Sequence, residues 1–220
     1  MGRVAGRDDE RMIAFQTAEE ISAALPTVVR QLEADRLIAY PTETVYGIGA
    51  RVTEAAIAAV DRLKQRDPDK PLLLLISELS MAARLGLEVR VEAARLAAVY
   101  WPGPLTLVLP MGDAVLPAGV VGSNGGVAVR QSSHPGAMAL VSALDAPLIS
   151  TSANRSGGPP LSEAAAIAVE FGAGEDLLIL DGGRLQHSPP STVLDLCGRV
   201  PALIREGAVA WSDVKKALAR

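Results

Sequence analysis

Short apolar runs alternate with helix-periodic segments along this chain, and that alternation restricts the fold more than any other feature of the sequence. Leu37-Ile38-Ala39-Tyr40 is a short run stopped by Pro41, the signature of a buried strand. Strands are expected in the same way at 72–76, 105–109, 127–130, 147–150, 177–181, 192–196 and 201–205. Between them lie helices with legible starts. Thr17, followed three positions later by Glu20, is a capping box opening a helix that runs to about Asp35. Thr53 and Glu54 open a second, ending before Pro68; Ser162 caps another, and one begins at Ser212. Segments 78–86 and 89–100 read as helices broken at Gly86, and 135–144 as one more. Strands that first alternate with helices and then follow in quick succession indicate an α/β fold. The expected architecture is a single domain with a twisted mixed β-sheet, flanking helices and a ligand cleft. The charged, aperiodic residues 1–12 read as a loose leader, with the domain spanning 13–220.

Composition narrows the function classes. A length of 220 residues suits one large domain, and 49% hydrophobic residues supply its core. Only 3% are aromatic, so the core is mainly Ala, Val, Leu and Ile, and a stacking platform for single-stranded nucleic acid is poorly stocked. The net charge of −4 argues against a wholly basic nucleic-acid binder. Cys197 is the only cysteine, and His134 and His187 stand far apart without ligand spacing. Neither a disulfide nor a protein-built metal site is therefore expected. No stretch of about 18 apolar residues occurs and the N-terminus has no apolar segment, which points to a cytoplasmic protein with no membrane partner. Basic residues carry a further signal: of 21, 17 are Arg, yet Lys64 and Lys70 fall close together in RLKQRDPDKP. A compact ammonium there suits phosphate oxygens, although a solvated loop accounts for it as well.

Several catalytic devices are missing: no G-x-x-x-x-G-K-[ST] phosphate loop, no H-E-x-x-H and no G-x-S-x-G elbow. Gly47 and Gly49 form a lone G-x-G with no helix directly behind it, and read as a tight turn at a strand exit. Four polar clusters remain, PTETVYG at 41–47, KQR at 64–66, VAVR at 127–130 and STSAN at 150–154. Three of them close strands, and ligands of open α/β sheets bind beyond the carboxyl ends of strands, so these three are expected to share one cleft. Singly, each has a plain structural role: Thr42 and Thr44 in a turn, Ser152 and Asn154 at a helix entry, Arg130 at the surface.

Taken in order, PTETVYGIGA, K-x-R at 64–66, KPL at 70–72, WPGPLTLVLP, VAVR, S-x-N at 152–154 with SGG behind it, STVLDL and LIREGAV carry a family resemblance. Over roughly residues 15–210 the chain resembles the YrdC-like family. That family makes threonylcarbamoyl-AMP and pyrophosphate from L-threonine, bicarbonate or CO2 and ATP, for the threonylcarbamoyl modification of adenosine 37 in tRNA. The resemblance implies a nucleotidyltransferase of the short, single-domain bacterial form, working with Mg2+ that accompanies ATP. It implies catalytic Lys64 and Arg66, and an ATP site of Lys64, Arg66, Ser150, Ser152, Asn154 and Arg205. It implies a threonine site of Thr42, Thr44, Tyr46, Arg130 and Ser191, with Arg130 suited to the carboxylate as a bidentate fork. A carbamate attacking the α-phosphate needs positioning and charge stabilisation rather than a protein nucleophile, which fits a chain without an activated Ser, Cys or His. The resemblance also implies a separate threonylcarbamoyl-transferase complex downstream, and leaves room for a tRNA or double-stranded RNA contact.

The chain departs from the family pattern at two points. After KPL the run is LLLLIS where a polar residue is common, so that contact is either missing or taken by Ser77, and Gly126, which can offer only backbone to ATP, stands where Thr is frequent. Two other readings compete. A carbamoyl-transfer module of the hydrogenase-maturation type would need zinc-finger cysteines within a longer chain. A non-catalytic double-stranded RNA binder would need a basic surface, against the net charge of −4, and would leave K-x-R and S-x-N idle. Replacing Lys64 or Arg66 is expected to leave stability almost untouched, since a helix end of this kind does not support a core.

Overall fold

In the computed structural model, which describes residues 12–172, 176–186 and 188–219, helices start where the short-range signals place them. The Thr17 hydroxyl accepts from the Glu20 amide while the Glu20 carboxylate takes the Thr17 amide, and α1 runs Ala18–Glu33. Thr53 caps α2, Glu54–Lys64, through the Ala56 amide. Among the described residues the remaining α-helices are α3 (Leu79–Arg84), α4 (Val91–Tyr100), α5 (Pro135–Leu144), α6 (Ala164–Phe171) and α7 (Trp211–Leu218). One start differs from expectation. Ser162 is not the cap of α6: that position is Glu163, which makes no side-chain cap bond.

Among the described residues ten strands form one sheet: β1 (Met12–Ala14), β2 (Leu37–Tyr40), β3 (Gly47–Arg51), β4 (Leu73–Leu75), β5 (Leu105–Pro110), β6 (Gly126–Arg130), β7 (Leu148–Ser152), β8 (Leu177–Asp181), β9 (Thr192–Asp195) and β10 (Ala202–Arg205). Their order is β1-β8-β2-β3-β7-β4-β6-β5-β9-β10, with parallel and antiparallel neighbours mixed. β2 is buried at every residue, which requires cover on both faces. Helix α1 buries Val28 and Leu32 and packs beside α5, where the Phe15 ring fills the space over Gly136. No described helix is long and apolar enough to cross a membrane.

Two strands lie where the sequence shows none. Met12 already belongs to β1, paired in parallel with β8, rather than to a leader; residues 1–11 lie outside the described residues. Gly47–Arg51 is not a turn but β3, hydrogen-bonded between β2 and β7. Its glycines have a packing reason. A Cβ on Gly49 would lie 2.8 Å from Cε1 of Tyr40 and 2.9 Å from Cγ1 of Ile38, so the Tyr40 ring occupies the space a side chain would need.

Candidate active site

Strand register gathers the polar clusters. Directly opposed residues share a face of the sheet, so Tyr40, Gly47 and Ser152 form one line, Gly49, Ser150 and Leu73 a second, and Leu148, Leu75 and Arg130 a third. Each line is two residues, about 7 Å, along the strands from the last. Two glycines and two serines make this face hollow. The resulting cleft of about 360 Å³ is lined by Thr42, Thr44, Lys64, Arg66, Lys70, Arg130, Ser150, Ser152, Asn154, Ser191 and Arg205, with Leu72 and Leu73 as apolar wall. It therefore runs along a face of the sheet as well as past strand ends, which corrects the simpler expectation.

The K-x-R pair sits where α2 stops. Gln65 takes a left-handed φ of 51°, turning the chain so that Lys64 and Arg66 both reach the cleft. Lys64 is no solvated helix end. It is 4% exposed, and its ammonium donates to the carbonyl oxygens of Ser152 and, at 2.7 Å, of Asn154, tying α2 to the exit of β7. Burial, with Arg66 close by, lowers that ammonium to about 8. Two of its three hydrogens serve the carbonyls, leaving one for a ligand. Arg66 is held by Asp61 at 2.6 Å. Asn154 donates through Nδ2 to the carbonyls of Arg155 and Gly158, both at 2.8 Å, and so shapes the loop behind β7.

The other end of the cleft is built around Arg130, buried at the end of β6. Glu43 stands behind it, Oε2 lying 3.7 Å from Arg130 Nη2 and accepting from Ser132 Oγ. Sequence reasoning passed over Glu43, although a lone carboxylate inside a hydroxyl-rich motif was the available signal. Thr42 staples its own turn: it donates to the Val45 carbonyl at 2.6 Å and accepts from the amides of Thr44 and Val45, each at 3.2 Å. With that hydrogen used, the Thr44 hydroxyl, 3.1 Å away, donates to Thr42. Ser191 Oγ meets Thr106 Oγ1 at 2.9 Å, and its carbonyl accepts from Arg205 Nη2 at 2.8 Å.

Two expected contacts lie elsewhere. Tyr46 is fully buried off the cleft, its hydroxyl donating to the Gly183 carbonyl at 2.7 Å and accepting from the Gly182 amide at 2.9 Å, so it braces the 182–183 loop. Ser77 does not line the cleft. Neither does Gly126, where a Cβ would come within 2.5 Å of Val108 Cγ1 and 2.6 Å of Cys197 Sγ, so packing demands glycine there. Burial pushes the Cys197 thiol up to about 12, which makes it a poor nucleophile. Among the described residues no group of three or more His, Cys, Asp or Glu is placed to hold a metal ion; His134 caps α5, and His187 lies outside the described residues.

The cleft's electrostatics are one-sided. Lys64, Arg66, Lys70, Arg130 and Arg205 line it and, among the described residues, no Asp or Glu does, in a chain whose net charge is −4. Such a site suits a polyanion with an attached carboxylate.

Comparison with known proteins agrees with this geometry. The Sua5/YciO/YrdC family profile, described as "Telomere recombination", matches residues 30–207. A threonylcarbamoyl-AMP synthase of Pyrococcus abyssi is 38% identical over 184 residues, covering 83% of this chain and 54% of that protein. One from Chromohalobacter salexigens is 39% identical, covering 82% of this chain and 95% of that protein. Among solved structures, P. abyssi Sua5 complexed with L-threonine superposes with a TM-score of 0.84 at 34% identity, covering 94% of this chain and 60% of that one. The chain thus spans about half the length of the Pyrococcus relative and nearly all of the Chromohalobacter one. With the profile spanning most of the sequence and the fold shared along nearly its whole length, the chain belongs to the Sua5/YciO/YrdC family.

Proposed function

We propose that this chain is a threonylcarbamoyl-AMP synthase, joining L-threonine, bicarbonate or CO2 and ATP into threonylcarbamoyl-AMP with release of pyrophosphate. The observation that carries the reading is the cleft with five cationic side chains and, among the described residues, no carboxylate in its lining, in a chain whose relatives bear that name. Lys64 and Arg66, held from behind by backbone carbonyls and by Asp61, meet the ATP phosphates with Ser152, while Asn154 shapes the loop beside them and Arg205 meets the nucleotide. Arg130 takes the threonine carboxylate, near Thr44 and Ser191. Threonine carbamate then attacks the α-phosphorus, and the bond to pyrophosphate breaks. Fixed cations offset the charge that builds on the phosphates, and no protein nucleophile is required. With no lining carboxylate to hold it, Mg2+ enters with the ATP phosphates as part of the substrate. The product passes to a separate transferase that acts on tRNA.

The test is pyrophosphate release by the purified chain with each substrate omitted in turn. Release only when ATP, L-threonine and bicarbonate are all present is expected. Release that ignores threonine would overturn the assignment.

A further inference from the structure

Tyr40 lies beneath the cleft and has no part in the function proposed above. Its side chain is fully buried, and its hydroxyl is 2.7 Å from Ser150 Oγ. Burial decides the direction of that bond. Were Ser150 the donor, the phenolic hydrogen would be left in the interior without an acceptor among the described residues. Burial also holds the phenol well above its usual range, keeping it protonated. Ser150, by contrast, lines the cleft, where its own hydrogen can meet a ligand oxygen. Tyr40 donates, and Ser150 turns its hydrogen to the cleft.

The chain makes room for this contact. To reach Ser150 on β7, the Tyr40 ring crosses β3 over both glycines. A Cβ on Gly49 would lie 2.8 Å from Cε1, and one on Gly47 would lie 3.3 Å from both Cε1 and Ser150 Oγ. The G-x-G that the sequence reads as a strand-exit turn is the passage for this ring.

Register then gives Ser150 its place. Along the strands, Arg130 is level with Leu148, Ser150 lies one step on, and Ser152, whose carbonyl holds Lys64, lies one step further. If Arg130 holds the amino-acid carboxylate and Lys64 the phosphates, the carbamate that joins them lies over Ser150. We propose that Tyr40 is a positioning residue that fixes the Ser150 hydroxyl, which the family resemblance assigns to ATP, as a hydrogen-bond donor to the non-attacking oxygen of the carbamate instead. The inference rests on the function proposed above. No proton is transferred. The other carbamate oxygen forms the bond to the α-phosphorus as the bond to pyrophosphate breaks, and the electron pair leaves with pyrophosphate. The donor orients the carbamate and holds it against loss of CO2.

The test is a double-mutant cycle of Tyr40→Phe and Ser150→Ala, read by pyrophosphate release and thermal unfolding. Tyr40→Phe should raise KM for bicarbonate roughly three- to tenfold, the worth of one oriented hydrogen bond, and leave KM for ATP unchanged. In the Ser150→Ala background the same change should add nothing. Ser150→Ala alone strands the phenol hydrogen and should lower Tm by about 2–4 °C, which Tyr40→Phe restores. A Tyr40→Phe effect that is absent, that persists without Ser150, or that falls equally on ATP overturns the assignment, as does a Tm that is not restored. An unaltered chain that releases no pyrophosphate with threonine takes down the proposed function and this inference together. An active chain with a flat cycle takes down only this one.

Discussion

Lys64→Met gives two separate readouts from one change. Methionine keeps the apolar stem but removes the ammonium, leaving the carbonyls of Ser152 and Asn154 without that donor. At 4% exposure water replaces it poorly, and hydrogen bonds from a charged donor contribute about 1.5–3 kcal/mol. The burial that lowers this lysine to about 8 works the other way, since methionine carries no charge to desolvate. A net loss of about 1–2 kcal/mol remains, a fall in Tm of about 2–8 °C for a chain of this size. That exceeds what a solvated helix end would give. The rate of pyrophosphate release should fall much further, by about 10²–10³, because one preorganised charge is withdrawn from developing negative charge. Lys215→Met with Lys216→Met removes two exposed charges from α7 and is the control; both readouts should stay near the unaltered chain. A Lys64→Met chain with full rate and unshifted Tm refutes the reasoning, and an equal rate loss in the control shows that net charge, not position, matters.

Three further outcomes follow from the geometry. Because Lys64 sheds its proton at about 8, kcat/KM for ATP should fall about tenfold per pH unit above that value, and Lys64→Arg should flatten the profile. The sign for stability is opposite. Its pKa is lowered on folding from 10.5 to about 8, so between those values the unfolded chain binds the extra proton, and the contribution of Lys64 to stability rises with pH, measured against Lys64→Met by denaturant titration. Arg130→Lys loses one arm of the fork, so threonine affinity measured by calorimetry should fall roughly ten- to a hundredfold with ATP affinity little changed; equal losses would make Arg130 structural. Gly49→Ala drives a methyl into the Tyr40 ring and should cost about 1–3 kcal/mol, or about 2–12 °C in Tm, and an unchanged Tm would refute the ring's placement.

What the sequence reveals is what neighbours in the chain decide. The Thr17–Glu20 box and the Thr53 cap are closed within one turn, so they are legible without the fold. β3 is not, because its two glycines weaken any strand signal and earn their place only from a tyrosine seven to nine residues away and a serine across the sheet. Tyr46 reads like a site residue because it stands in the hydroxyl-rich motif, yet its hydroxyl is claimed by the backbone of Gly182 and Gly183, far along the chain. The closeness of Lys64 and Lys70 in a chain that otherwise prefers Arg is a compositional trace of the cleft, since both line it. That Lys64 is also a structural tie depends on β7 ending beside α2, which no local pattern shows.

The cleft also has to hold like charges together before any ligand arrives, and each cation meets that demand differently. Lys64 rests on two backbone carbonyls, Arg205 on the Ser191 carbonyl, Arg66 on Asp61 and Arg130 on Glu43. Only Lys70, of the five, makes no side-chain hydrogen bond or ion pair among the described residues. Carbonyl dipoles orient a cation without neutralising it, whereas a carboxylate does both. Lys64 and Arg205 therefore keep nearly their full charge for a ligand, while Asp61 offsets part of that on Arg66 and Glu43 part of that on Arg130. Each end of the cleft thus sets a cation held by carbonyls beside one partly offset by a carboxylate, Lys64 with Arg66 at one and Arg205 with Arg130 at the other.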